Sequence, residues 1–462
     1  MNYKSILLSL VALLCCAGGG RAATSEMVNI VCFVRFADEA EDVFTHAPAF
    51  YEQMYNDEGT EANSVYNYFS WVSYRQFEWR TLLYPQTAEG AAFVASYQDK
   101  LRRCELQPYD ATTNPSGYKS ATTASNMEHE LVGRVTAYLD GILPDGIKLD
   151  NYKEGTVDNL TIIYSGNSER SSSKGILWPH QDNIMFSTYR IKGCRVPRYL
   201  AVFDNANGYK SGKPSEVNTG VLCHEMMHVL GAYDMYTSST DTSNPVGTWD
   251  LMSDNNTVPQ GMTAYIRWMY GGWIDNIPQI THDGLYQLHP VGSTYNNNVA
   301  FIIRTSKAAS EYFMVEYRKK EGTFESGLPG SGLICYRISS TASGNLNSDK
   351  EMYIFRQNAT ANYKNAYATA GIGLTEMNTE TSPFKIRFSN GTQVAFSIRD
   401  ISACDETITF RVEGLAEDPD GMSSLTPDPS PGRGEMYNLA GQRVGKGYRG
   451  IVVQQGRKTV GN

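Results

Sequence analysis

The sequence predicts an α+β fold: a mixed strand-and-helix half, then an all-β region, then a short β tail. Three observations carry that expectation. Up to about residue 230, apolar runs of strand length alternate with amphipathic stretches at helical spacing. After about residue 276, short β-branched and aromatic runs are separated by clusters of Gly, Asn and Ser. Between Leu415 and Gly434, four Pro stand among Asp, Ser and Gly, the composition of a linker.

Met27–Phe36 (MVNIVCFVRF) is an apolar run suited to a buried strand. Ser64–Phe77 (SVYNYFSWVSYRQF) carries aromatics at helical spacing and then a turn, and Asn126–Leu139 is amphipathic and helical. Val157–Ser165 (VDNLTIIYS) is a second strand, followed by a polar loop over Gly166–Lys174. The all-β region is marked by Val299–Arg304, Tyr312–Tyr317, Leu333–Ile338, Val394–Ile398 and Thr407–Val412, a pattern most consistent with a sandwich. No internal repeat is evident.

The 462 residues suffice for two or three domains and a sizeable core. At 41% hydrophobic and 19% charged, the chain is neither a disordered polyampholyte nor a coiled coil. The net charge of −9, without any basic block, argues against a nucleic-acid partner, because phosphate contacts need clustered Lys and Arg. Lys4, an apolar run over Ile6–Cys16 and small residues up to Ala22 have the form of a secretory signal peptide. The run is too short to span a bilayer, which takes about twenty apolar residues, and no second run of that length occurs. Leu14 before Cys15 makes a poor lipobox. The expectation is an exported chain without an integral span, secreted or cell-surface, with a periplasmic alternative. Cys32, Cys104, Cys194, Cys223, Cys335 and Cys404 remain, without any C-x-x-C pair. They read as buried small hydrophobes with one or two disulfides at most.

The chemistry concentrates in HEMMHVLGAYD, residues 224–234. On a helix, His224 and His228 project from one face a turn apart and can share one metal ion. Glu225 lies beside the first ligand, placed to take a proton from a zinc-activated water and return it to a leaving amine. Gly231 can end the helix in a left-handed conformation, so that Asp234 arrives where a third ligand is needed. A catalytic zinc site uses three protein ligands and one open position. Chance alone would place an H-E-x-x-H in roughly one of two hundred chains of this composition, and the Gly–Asp continuation makes coincidence far rarer. The bland reading is a helix with two exposed His and a satisfied Glu.

This segment resembles the H-E-x-x-H-x-x-G-x-x-D signature of the immune inhibitor A family of secreted bacterial zinc metallopeptidases, relatives of the metzincins. Flanking stretches are similar too: VNIVCFVRFAD at 28–38, the Ser64–Tyr74 segment, ILWPHQ at 176–181, VGTWDLMS at 246–253, and EYFMVEYRKK with LPGSGLICYRI beyond. The resemblance covers roughly residues 27–340. It implies a metzincin-like catalytic domain with a zinc-binding active-site helix, in which His224, His228 and Asp234 hold Zn²⁺ and Glu225 is the catalytic base. It also makes Met252 the counterpart of the methionine beneath the metal, whose plainer role is core packing. The domain layout expected is a signal peptide over 1–22, a zinc metallopeptidase domain over 23–275, a β-sandwich domain over 276–415, a linker over 416–433 and a tail over 434–462. A later Glu as third ligand, as in thermolysin-like enzymes, is the alternative to Asp234.

Other positions are weaker candidates. His180 can face the cleft, although a lone His near a Trp is more often structural. Tyr265 is a candidate for oxyanion stabilisation among thirty tyrosines. Cys223 abuts the first ligand and reads as a buried thiol. Asp204, Asn205 and Asn207, or Asp254 with its Asn neighbours, could hold Ca²⁺ through oxygens but read more simply as turn residues. The tail, EMYNLAGQRVGKGYRGIVVQQGRKTV, resembles the C-terminal sorting tails of Bacteroidota proteins, and that resemblance implies cell-surface attachment. The function expected is a secreted zinc endopeptidase acting on protein or peptide substrates. The alternative from another class is a non-catalytic surface adhesin or binding protein that retains a metal site.

Overall fold

A computed structural model describes residues 25–415, apart from 168–175, 185–187, 206–216, 239–242, 306–309 and 361, and the backbone of four short strands in the tail. The first half of the described chain runs β1 (Ser25–Arg35), α1 (Pro48–Asn56), α2 (Val65–Val72), β2 (Phe77–Tyr84), β3 (Tyr97–Gln98), α3 (Ala121–Ile142), β4 (Asn159–Asn167) and β5 (His180–Asn183). A small hairpin of β6 (Arg190–Ile191) and β7 (Cys194–Arg195), then β8 (Arg198–Asn205) and α4 (Thr219–Val229), complete it. The principal sheet has the order β2-β1-β4-β8-β5, with β3 also paired to β1. β2, β1, β4 and β8 are parallel, whereas β5 is antiparallel to β8 and closes that edge.

The apolar run of β1 is continuous because both faces of the sheet are covered. Met27, Val31 and Phe33 enter one core, shared with α1, α2 and α4, while Val28, Ile30, Cys32 and Val34 enter a second. α3 closes the second core with Leu131, Val132, Val135 and Leu139. α2 and α3 begin at serine N-caps, with Ser64 accepting from the amide of Asn67 and Ser120 from that of Thr123. After α2 the chain reverses through Tyr74 and Arg75, both in left-handed backbone conformation, into β2.

The second half contains β9 (Gln279–Ile280), β10 (Gly284–Leu288), β11 (Ala300–Ile303), β12 (Glu311–Arg318), β13 (Gly332–Ser339), β14 (Met352–Ile354), β15 (Tyr367–Ala368), β16 (Ser397–Arg399) and β17 (Ile408–Glu413). One sheet has the order β14-β13-β12-β11-β9, with β15 also on β13, and a three-stranded sheet has the order β10-β17-β16. Every residue of β12 is buried, and its alternation explains why. Tyr312 and Met314 join the core that contains α4, whereas Phe313, Val315 and Tyr317 join a third core. β13 repeats the pattern, with Ile334, Tyr336 and Ile338 on the first side and Leu333 and Cys335 on the other. Ile408, Phe410 and Val412 of β17 fill the third core from the smaller sheet.

Thr24–Leu415 is accordingly one compact unit. The boundary expected between residues 275 and 276 lies inside this unit, where one sheet is buried on both faces. The expected strand over Val394–Ile398 is shorter and later, at Ser397–Arg399.

The signal-peptide expectation over 1–22 and the linker over 416–433 lie outside the described residues. In the tail, β18 (Met436–Asn438), β19 (Arg443–Val444), β20 (Ile451–Gln454) and β21 (Arg457–Val460) form an antiparallel sheet of order β19-β18-β20-β21. Among the described residues, no helix is long and apolar enough to cross a membrane. The six cysteines from Cys32 to Cys404 are all free, so the one or two disulfides allowed above are not formed.

Candidate metal centre

α4 is an interior helix, and its chemistry follows from how its ends are held. Asn218 caps it by accepting from the amide of Val221. Gly220 lets the first turn press against the chain at residues 256 and 257, since a Cβ there would lie 1.8 Å from the Asn256 carbonyl oxygen. Most of the helix is buried, including Leu222, Cys223, Met226, Met227 and Val229 in the first core. His224 and Glu225 are only 6% and 7% exposed. At the other end Gly231 takes a φ of +97° in otherwise open space, so its requirement is conformational rather than steric.

Past Gly231 the chain turns back and delivers Asp234 to the two imidazoles. Its Oδ1 lies 3.2 Å from Nε2 of His224 and 3.3 Å from Nε2 of His228. Ligand atoms of these three residues all lie within 4.8 Å of one another, and no other group of three or more His, Cys, Asp or Glu among the described residues converges in this way. The remaining ring nitrogens are spoken for. Nδ1–H of His224 donates to the Leu251 carbonyl at 2.9 Å, and Nδ1–H of His228 donates to the Ala232 carbonyl at 2.8 Å. A neutral imidazole with its proton on Nδ1 presents a lone pair on Nε2, which is the atom that faces Asp234.

The electrostatics match a site built for a cation. Burial works to lower the pKa of His224, but the hydrogen bond it donates to Asp234 and the charges of Glu225 and Asp234 outweigh it and raise it to about 9. Burial likewise opposes ionisation of Asp234, yet hydrogen bonds from both histidines hold its carboxyl well below the usual carboxylate range. Two imidazole nitrogens and one carboxylate oxygen, with both histidines fixed from behind by carbonyls, are a donor set that suits zinc. Calcium, a hard cation that prefers an all-oxygen shell, fits it poorly.

The segment after the helix supports this group. Asp250, fully buried, accepts from the amides of Met252 and Thr263 and from the Thr263 hydroxyl, at 2.7–2.8 Å. That turn carries Leu251, whose carbonyl orients His224, and Met252, whose carbonyl accepts from the amide of Met235 at 2.7 Å. Met252 is fully buried in the first core, so it packs and also backs the chain beside Asp234.

Two weaker candidates are engaged elsewhere. The Tyr265 hydroxyl donates to Glu351 at 2.7 Å and is buried, so its proton is committed to that carboxylate. His180, on the edge strand β5, has Nε2 3.5 Å from the buried Glu128 of α3, and its Nδ1 meets the Trp178 carbonyl at 2.6 Å. The neighbouring His129 pairs with Asp182 at 2.8 Å, so two His–carboxylate contacts join α3 to β5. Cys223 is buried and its thiol is pushed well up by burial, consistent with a core residue. Among the residues considered for calcium, Asp204 accepts a short hydrogen bond from Tyr51 and the Asp254 carbonyl accepts from Gln260, while Asn207 lies outside the described residues. The carbonyls of Leu251 and Ala232 gave no sequence signal, because any residue type supplies a carbonyl.

Residues 144–265 match the family model described as "Immune inhibitor A peptidase M6, catalytic domain", a span that includes His180, α4, Asp234, Met252 and Tyr265. The match bears out the resemblance to that family. No match was found among curated proteins. Solved structures similar to the chain include wild-type OgpA from Akkermansia muciniphila, at 13% identity and a TM-score of 0.27, covering 70% of this chain and 86% of that one. A catalytically inactive OgpA in complex with an O-glycopeptide substrate, glycodrosocin, is similar at 11% identity and a TM-score of 0.24, covering 70% and 86%.

Proposed function

We propose that the protein is a secreted zinc-dependent endopeptidase that hydrolyses peptide bonds in protein substrates. The observation that carries this reading is the convergence of His224 Nε2, His228 Nε2 and Asp234 Oδ1 on one point, beside Glu225 on the same helix. Zinc held by these three residues would supply a Lewis acid that polarises the scissile carbonyl and acidifies the attacking water. Leu251 and Ala232 hold the imidazoles in the tautomer that leaves Nε2 available. Glu225, one residue from the first ligand and nearly buried, takes the proton of the attacking water and passes it to the leaving amine. β5 is an antiparallel edge strand packed near α4, and an extended substrate could pair with such an edge through its own backbone.

Export rests on the signal-like pattern from Lys4 to Ala22, and the metzincin-like and sandwich-like architectures on the resemblance together with the sheet order. Surface attachment through residues 434–462 is part of the same reading.

The test is cleavage of a peptide library by the zinc-loaded protein, with and without a chelator, with cut sites mapped by mass spectrometry. Glu225→Gln is expected to lower kcat by at least about 10²–10⁴-fold while keeping one zinc per chain. Zinc-loaded wild-type protein that cuts no unfolded substrate would leave the adhesin reading in its place.

A further inference from the structure

We propose that Asn345 and Glu351, on the segment between β13 and β14, are positioning residues for the third metal ligand, Asp234. This rests on reading His224, His228 and Asp234 as metal ligands. The two histidines are placed by a helix, whose own hydrogen bonds fix their spacing. Asp234 lies three residues beyond Gly231, outside the helix, so its carboxylate is only as well placed as the backbone that carries it.

That backbone is gripped on three consecutive polar groups. The Asp234 carbonyl accepts from the amide of Asn345 at 2.8 Å, and the Met235 amide donates to the Met252 carbonyl at 2.7 Å. The Met235 carbonyl accepts from Nδ2 of Asn345 at 2.8 Å. Asn345 is fully buried and its side chain is saturated locally: Nδ2 also donates to the Met352 carbonyl at 2.9 Å, and Oδ1 accepts from the Met352 amide at 3.1 Å. One asparagine thereby fastens the start of β14 to the two residues that set the third ligand.

Glu351 fixes Asn345 in turn. Its carboxylate, 2% exposed, accepts from the hydroxyls of Tyr265 and Tyr270 and from the amide of Gly344, the residue before Asn345. Gly344 has a φ of +69°, and a Cβ there would lie 2.8 Å from the Asp234 carbonyl oxygen, so the approach of this loop to Asp234 requires glycine. The Tyr270 ring also meets that of Tyr233, next to Asp234, edge to face at 6.1 Å between centroids. A fully buried amide, a buried carboxylate and a close-approach glycine all bear on a single non-helical residue. Ligands need support of this kind, because small errors in their placement are costly.

The experiment is cobalt(II) titration of the full chain, reading the visible absorption of the bound ion and its affinity against a competing chelator. Asn345→Asp keeps Oδ1 for the Met352 amide but removes the donor to the Met235 carbonyl. It is expected to weaken cobalt about 10–100-fold and to change the absorption band. Glu351→Gln, which keeps the shape of the side chain, should act in the same direction and serves if the first variant does not fold. Val412→Ala, in the third core and away from this loop, should lower thermal stability but leave the affinity within twofold. If wild-type protein binds no cobalt, the ligand reading itself fails. If wild type binds, Asp234→Ala weakens it, and both loop variants stay within twofold, only the positioning role is overturned. Equal loss of affinity in Val412→Ala would overturn it as well.

Discussion

Two backbone carbonyls, of Leu251 and Ala232, decide which nitrogen each histidine of the H-E-x-x-H turn presents. The side chains themselves were legible, because two histidines four apart on a helix must share a face whatever the rest of the chain does. Asp234 was legible through Gly231, whose left-handed φ permits the turn back. The roles expected for Tyr265 and His180 were not decidable from residue type, since each has a buried carboxylate partner from a distant element, Glu351 and Glu128. In the metal-free protein His224 is raised to about 9, above its ordinary 6.5, so the protonated ring stabilises the fold fully below about pH 6.5 and that contribution disappears as pH rises through about 9. Asp234, held low, stays ionised throughout this window and drops out only in strong acid. The melting temperature of chelator-treated protein should therefore fall between pH 6.5 and 9. Asp234→Asn, which removes the charge that raises His224, should flatten that slope. An unchanged slope in the variant would count against the pairing.

At the scale of elements, α4 shows why a helix that carries metal-ligand candidates can be plain in its periodicity. Nearly all of its residues are buried, so it has no polar stripe, and its limits come from the Asn218 cap and Gly231 rather than from amphipathicity. The strand at Met27–Phe36 and the helices around Ser64 and Asn126 were readable because each carries a long apolar pattern. β5 was not, because HQDN is a short polar edge segment defined only by its pairing with β8. Gly231→Ala should cost about 1–2 kcal/mol in urea unfolding, because an L-residue at a φ of +97° is strained even in open space. The same variant should weaken zinc, since the Ala232 carbonyl that orients His228 directly follows. Unaltered stability with unaltered zinc affinity would mean that the turn relaxes without reaching the metal site.

At the scale of the whole molecule, the β region is part of the core that holds α4 rather than an appendage. Arg318 of β12, fully buried, pairs with Glu325 at 2.8 Å and donates to the Trp249 carbonyl at 2.5 Å, just before the Asp250–Met252 turn. Glu316 accepts from the amide of Ala264 and from the Tyr336 hydroxyl at 2.6–2.8 Å. Removing one member of such a buried ionic network typically costs about 3–5 kcal/mol, because the partner charge is left unpaired. A chain ending at residue 275 would lose these charges together with Tyr312, Met314, Ile334 and Tyr336 from the first core. It should therefore lack a cooperative melting transition and bind no stoichiometric zinc, as checked by near-ultraviolet circular dichroism and metal analysis. A well-folded, zinc-binding fragment of that length would show that the shared core is dispensable.

The sequence by itself determined the chemistry: two histidines and a glutamate in helical register, a glycine that can turn the chain, and an aspartate beyond it. It could do so because those relations span eleven residues and are governed by local backbone geometry. Only the tertiary structure decided what surrounds them. The carbonyls behind the histidines, the grip of Asn345 on the chain at Asp234, and the sheet buried on both faces all arise between residues far apart in sequence. Contacts of that kind depend on which surfaces meet in three dimensions, which no local spacing records.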